Sequence, residues 1–313
     1  MIGLGALTSR AWSLDDAPVL AGRTIMITGA TSGLGLAAAR ALSRKKAHVI
    51  VACRDRTRGE RVVAELAAPS RAQIALVNLA SLASVGACVR ALEAKSIVLD
   101  ALINNAGVMA TPAGRTEDGF ETQIGTNHLG HFALTLGLIP ALERSTHAGG
   151  ARVVNVTSLW HRVGHVDPDD LDFERRGYDR WAAYGQSKLA NLLFTLELNT
   201  RLERAGAHTR AYSAHPGYAK SELQNNAKLE GPMAFLTNVG TSFAQSTEAG
   251  ALAELRAAVD PAATPGAFFG PRGPFECWGT PVLVKPARRA LDASVAAALW
   301  RASETRTGAR FPD

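Results

Sequence analysis

Short runs of consecutive apolar and β-branched residues alternate along this chain with longer alanine-rich runs of helical period. RTIMITGA (23–30) predicts a strand ending in a glycine turn, and LGLAAARALSRKKA (34–47) a helix whose apolar set includes Ala38, Ala41 and Leu42. HVIVACR (48–54), QIALVNL (73–79), LDALINNAG (99–107), ARVVNVTS (151–158) and TRAYSAHPG (209–217) predict further strands. Helices are predicted between them over 57–68, 82–94, 120–142 and 181–205, and later over 250–259 and 292–304. The strands are apolar on both sides of the pleat, as in a parallel sheet covered on both faces. Strand–helix repetition of this kind predicts an α/β fold with a doubly wound parallel sheet.

Two segments break the rhythm. Residues 159–180 carry Pro168, Asp167, Asp169, Asp170 and Asp172 and read as a surface insertion. Residues 218–245 hold Tyr218, Leu223, Leu229, Met233, Phe235, Leu236 and Phe243 around a Gly231-Pro232 break, and read as short helices forming a substrate lid or as ordinary helix core. A Pro/Gly-rich stretch then runs to Gly279, followed by a short PVLVK segment. With no fixed-period repeat, residues 20–305 read as one domain with a C-terminal substrate-binding extension, preceded by an N-terminal extension over 1–19.

Composition narrows the function classes. At 47% hydrophobic and 20% charged residues, the chain carries enough apolar surface for a large core. Its three cysteines, Cys53, Cys88 and Cys277, form no CxxC pair, which speaks for a reducing compartment. The net charge of +6 is modest. Lys285, Arg288, Arg289, Arg301, Arg306 and Arg310 read as a solvated helix face, because no aromatic interleaving supports nucleic-acid binding. The opening MIGLGALTSRAW is too short to span a membrane, and no apolar window reaches the roughly 18 residues a span needs. A cytoplasmic protein without an integral membrane segment is expected. No His/Cys/Asp cluster has metal-ligand spacing, so no metal is expected.

TGATSGLG, after the first strand and opening the first helix, carries Gly29, Gly33 and Gly35. A dinucleotide needs glycine where the strand turns, where the backbone approaches a pyrophosphate, and where helix and strand pack closely. Thr31, Ser32 and Leu34 complete the turn, and the helix N-terminus points its N–H groups at the phosphates. At the end of the second strand, where a carboxylate would select an unphosphorylated ribose, stand Cys53 and Arg54. A guanidinium there fits a 2′-phosphate and predicts NADPH/NADP+. Asp55 leaves an alternative, because it can pair with Arg54 or Arg58. Asn78 with Leu79 either brackets an adenine or caps its strand. Asn105, Ala106 and Gly107, after Asn104, let the chain pass close to a cofactor ribose.

YGQSK sets Tyr184 and Lys188 four residues apart on one helix face. An ammonium beside a phenol favours the phenolate, so the tyrosine can exchange a proton near neutrality. The pair alone occurs often by chance. Ser158, at the end of a buried strand facing the same crevice, adds a hydroxyl able to polarise a carbonyl. Asn127 adds an amide in a helix interior, where such a group needs a partner.

Together these motifs resemble the short-chain dehydrogenase/reductase family over roughly residues 20–305. The family's glycine motif is matched by Thr28, Gly29, Gly33 and Gly35, its Asn-Asn-Ala-Gly by 104–107, and its catalytic Asn, Ser, Tyr and Lys by Asn127, Ser158, Tyr184 and Lys188. Pro216 and Gly217 match its Pro-Gly after the sixth strand. VACRD, NHLGHF, YGQSKLAN, HPG and LWRASE resemble its retinol-dehydrogenase-like branch. The resemblance implies a Rossmann-type fold, NADP(H), and reduction of apolar aldehydes or ketones or oxidation of the matching alcohols. It further implies that Tyr184 donates the proton, Ser158 orients the oxygen, Lys188 bonds the nicotinamide ribose, and Asn127 holds a water. Asn78 departs from the family's usual Asp. Ser221 replaces the Thr of many members and keeps a hydroxyl for the nicotinamide carboxamide. A monomer and a homodimer both fit. An NAD-dependent alcohol dehydrogenase and a non-catalytic nucleotide-binding regulator are the competing functions.

Overall fold

The structure is a computed structural model and describes residues 11–67, 71–219 and 245–312. Eight strands form one sheet in the order β3-β2-β1-β4-β5-β6-β7-β8. They are β1 (Thr24–Thr28), β2 (His48–Cys53), β3 (Ala72–Leu76), β4 (Ala101–Asn104), β5 (Arg152–Val156), β6 (Arg210–Ala214), β7 (Phe268–Pro271) and β8 (Pro281–Leu283). Neighbours run parallel except β7 and β8, which pair antiparallel through Phe269 and Leu283.

The helices are α1 (Gly33–Arg44), α2 (Arg56–Glu65), α3 (Leu82–Glu93), α4 (Gly130–Glu143), α5 (Arg180–Arg204), α6 (Thr247–Val259) and α7 (Ala293–Thr307). Residues of α1, α2 and α6 join one buried cluster, with Ile25 and Ile27 of β1. Residues of α3, α4 and α5 join another, with Met26 of the same strand. Successive β1 side chains thus enter opposite cores, which is why the strand is apolar without alternation. On the outer side of α5, the buried Trp300 of α7 sits edge-on to Phe132 at 4.9 Å. His128 Nε2 bonds Ser303 Oγ at 2.9 Å and fixes the same docking.

Three details differ from the expected pattern. Residues 268–271 form a strand inside the Pro/Gly-rich stretch, because FFG pairs beside β6. The helix expected over 120–142 begins as a short α-turn, Thr122–Ile124, and a π-turn, Gly125–Leu129, before α4. Within 159–180, Val166 and Leu171 are buried in a third apolar cluster with α5 and α7. The stretch expected as a lid lies almost wholly outside the described residues.

The strand order reverses between β1 and β4. The helices that follow these two strands lie on opposite faces, so a crevice opens at their C-terminal ends.

Candidate active site

That crevice is a cavity of about 520 Å³. At one end the chain leaves β1 through Gly29, whose φ of +69° suits glycine. A Cβ on Gly35 would stand 2.5 Å from both Asn105 Nδ2 and Gly29 O, so the first turn of α1 packs against the turn after β4. Asp55, Asp179, Ser246 and Asp292 cap α2, α5, α6 and α7 with their side chains. Ser32 makes no such bond at α1. The first-turn N–H groups of α1 therefore have no capping side chain, and they sit at the positive end of the helix dipole beside the cavity.

Thr28 ties three segments together. His131 Nδ1 lies 3.0 Å from the Asn127 carbonyl, which can only accept, so Nδ1 carries the proton. His131 Nε2 then accepts the Thr28 hydroxyl at 2.8 Å. The Thr28 oxygen in turn accepts the N–H groups of Asn105 and Ala106, both at 3.0 Å. Burial lowers the His131 pKa to about 4, which keeps the ring neutral.

At the end of β2, Arg54 and Arg58 line the cavity. Asp55 Oδ1 accepts the Arg58 backbone N–H at 3.0 Å, so this carboxylate caps α2. No Asp or Glu lines the cavity among the described residues. Asn78 and Leu79 also line it. The Asn78 amide is engaged: Oδ1 accepts the Ala80 N–H at 3.2 Å and Nδ2 donates to Glu117 at 3.0 Å. That is the strand-capping alternative, with the residue still facing the crevice.

The other end holds the polar groups expected for chemistry. Ser158, Tyr184 and Lys188 line the same cavity as Gly29, Thr31, Ser32, Gly33, Leu34, Asn105, Ala106, Gly107, Pro216 and Gly217. A hydrogen bond from Ser158 steadies the Tyr184 phenolate, but burial outweighs it and pushes the phenol up to about 12. The phenol is therefore neutral near pH 7. Lys188 follows one turn later on α5. Its Nζ lies 5.7 Å from the Tyr184 ring centroid and donates to the Val156 carbonyl at 3.3 Å. Burial lowers the Lys188 pKa to about 8.

Asn127 stands in the π-turn, a distortion that frees backbone groups and recurs at functional sites. Its Oδ1 accepts the Val108 N–H at 2.7 Å, and its Nδ2 donates to the Val108 carbonyl and to Ser187 Oγ, each at 2.9 Å. A Cβ on Gly107 would meet Asn127 Oδ1 at 3.0 Å and Lys188 Nζ at 3.5 Å, which places the amide and the ammonium beside one another. Asn127 itself is buried behind the cavity wall. Ser221 lies outside the described residues.

Trp181 and Glu254 escaped the sequence pattern, and His161 supports the site from behind. Trp181 stacks on Trp160 at 4.5 Å and lines the cavity, a contact that needs the turn after β5 to fold onto the start of α5. His161 does not line the cavity; its Nδ1 donates to the Ser158 carbonyl at 2.7 Å and its Nε2 accepts the Ala287 N–H at 3.2 Å, so it fixes Ser158. Glu254 on α6 is 3% exposed, and neither carboxyl oxygen has a hydrogen-bond partner among the described residues. Burial pushes its pKa up to about 8 against the opposing charge of Lys188.

A helix N-terminus open to anions faces a buried phenol across one cavity, an arrangement suited to a nucleotide-dependent oxidoreductase. The family model for short chain dehydrogenases matches residues 23–230. Human retinol dehydrogenase 12 is 39% identical over 297 residues, covering 93% of this chain and 88% of that protein. Mouse polyprenol dehydrogenase is 46% identical over 214 residues, 67% and 64% of the two chains. A crystal structure of a putative uncharacterized protein from Mycobacterium Paratuberculosis superposes with a TM-score of 0.81 at 42% identity, covering 97% of this chain and all of that one. The chain belongs to the short-chain dehydrogenase/reductase family, in the branch that holds the retinol and polyprenol dehydrogenases. Among the described residues no helix is long and apolar enough to cross a membrane.

Proposed function

We propose that the protein reduces an apolar aldehyde or ketone to the alcohol with NADPH, reversibly. The observation that carries the cofactor choice is the β2 end of the cavity, which Arg54 and Arg58 line and which no Asp or Glu lines among the described residues. A guanidinium there pairs with a 2′-phosphate by charge-assisted bonds, and a carboxylate would repel it. A structural relative at 27% identity and a TM-score of 0.63 is the RhlG/NADP active-site complex of Pseudomonas aeruginosa. The retinol and polyprenol names of the sequence relatives favour an apolar substrate. The Trp160–Trp181 stack beside Tyr184 offers a wall suited to one.

The nicotinamide cofactor, when bound, supplies the hydride. The first-turn N–H groups of α1 would hold its pyrophosphate, and Arg54 its 2′-phosphate. Ser158 bonds the substrate oxygen, oriented through its own carbonyl by His161. Tyr184, kept protonated by burial, donates the proton to that oxygen. Lys188, one turn along α5, would bond the nicotinamide ribose, and its positive charge would ease the phenol's loss of its proton. Asn127 holds the Gly107–Val108 turn next to Lys188 and would position a water there.

The test is oxidation of NADPH and NADH across a panel of apolar aldehydes and ketones, with Tyr184→Phe alongside. Carbonyl-dependent turnover with NADPH, falling by about 10²–10⁴-fold in the variant with cofactor affinity retained, is expected. Turnover that survives in the variant would remove Tyr184 as the donor. Preference for NADH would favour the alcohol-dehydrogenase alternative.

A further inference from the structure

The loop joining β7 to β8 holds aromatic side chains out into solvent. Phe275 is 89% exposed and Trp278 45%. Phe275 and the next residue, Glu276, sit at φ +54° and +58°, a left-handed backbone that neither residue type favours. Strain of this kind persists only where the surroundings enforce it. Here the Gly273 N–H donates to the Trp278 carbonyl at 2.8 Å, and the Tyr218 N–H to the Cys277 carbonyl at 2.7 Å. The Glu276 carboxylate accepts His215 Nε2 at 2.9 Å and Arg162 Nη2 at 2.7 Å. The loop is pinned from within, and the phenyl ring still points outward.

Its surroundings are basic. Over residues 272–291 the cations are Arg272, Lys285, Arg288 and Arg289, and the single acid is Glu276, already paired. Arg272, Lys285 and Arg288 are exposed and make no ion pair among the described residues. The Ala287 N–H to His161 and the Arg289 guanidinium to the Gly164 carbonyl bring this segment against the 161–164 turn, where Val163 is 67% exposed. The rim also adjoins the cavity mouth, since Tyr218 lines the cavity and is bonded to Cys277. Exposed aromatics in the same segment as exposed cations match the headgroup zone of an anionic bilayer, where rings sit at the interface and cations meet lipid phosphates.

We propose that this rim, built on Val163, Phe275 and Trp278 with Arg272, Lys285 and Arg288, docks the mouth of the cavity onto the surface of an anionic lipid bilayer. The use of that docking, uptake of an apolar substrate from the lipid, rests on the function proposed above. The docking itself does not.

The experiment is sedimentation of the full chain with phosphatidylcholine vesicles, with and without phosphatidylglycerol, at low and high salt. Binding to the anionic vesicles, weak binding to the neutral ones, and release by salt are expected. The pairs Phe275→Asn with Trp278→Ser, and Lys285→Glu with Arg288→Glu, should each lower the bound fraction by about tenfold or more. Asparagine tolerates the left-handed backbone, so an unchanged thermal melt and unchanged NADPH affinity confirm that the fold survives. No binding to anionic vesicles, or binding indifferent to both pairs, overturns the proposal. So does a mass by light scattering that falls from dimer to monomer in the aromatic pair, because the rim would then be covered by a second copy of the chain. Turnover of a water-miscible aldehyde without vesicles, measured on the same samples, tests the reductase reading separately.

Discussion

Glu254→Gln should stabilise the protein, and by an amount that grows with pH. The carboxyl is buried without a hydrogen-bond partner among the described residues, and its pKa is raised from 4.5 to about 8. Below about pH 4.5 the folded and unfolded states both hold the proton, and the group adds no pH-dependent cost. As pH climbs toward 8 the unfolded chain releases the proton while the folded chain keeps it. Stability then falls by about 1.4 kcal/mol per pH unit, and the loss levels off above the folded pKa. Glutamine has the same shape and does not titrate. Its advantage should therefore grow by about 2 kcal/mol between pH 5.5 and pH 7.0. Lys188 does not confuse this window, because its pKa is lowered only to about 8 and it is charged in both states below that. Urea unfolding followed by tryptophan fluorescence at the two pH values measures the difference. An advantage that is equal at both would show that Glu254 is ionised in the fold and that some group has satisfied it.

Other expected outcomes concern the nucleotide end. Arg54→Asp should raise the KM for NADPH by roughly 10–100-fold with little change for NADH, as steady-state kinetics with both cofactors would show. Gly35→Ala places a methyl 2.5 Å from Asn105 Nδ2 and the Gly29 carbonyl, so cofactor affinity should collapse in a fluorescence titration and stability should fall by about 1–3 kcal/mol. Thr28→Val leaves the half-buried N–H groups of Asn105 and Ala106 and the buried His131 ring without their shared partner. It should cost about 1–3 kcal/mol in denaturant unfolding, and an unchanged midpoint would refute the hub.

The sequence alone determined the framework. Strands buried on both faces must be continuously apolar, so β1, β2, β4, β5 and β6 stand out, and Gly29, Gly33 and Gly35 follow β1 in the order a phosphate-binding turn requires. Strand ends in a parallel sheet share one edge, which is why Ser158 and the glycine turn were expected in one crevice. β7 stayed hidden because its FFGP run is short and rich in turn residues, and it becomes a strand only by pairing with β6. Local pattern was equally silent about roles that depend on partners distant in sequence. Which partners the Asn78 amide and the Asp55 carboxylate meet was open in the sequence; in the fold the amide bonds Ala80 and Glu117 while Asn78 still lines the cavity, and the carboxylate accepts the Arg58 N–H. Trp181 meets Trp160, and His161 meets Ala287, only after the chain has folded back on itself. The Tyr184 proton is the sharpest case. Spacing puts an ammonium one turn away, which favours the phenolate, and burial favours the neutral phenol; how far the phenol is buried is a property of the packed fold rather than of any local run of residues.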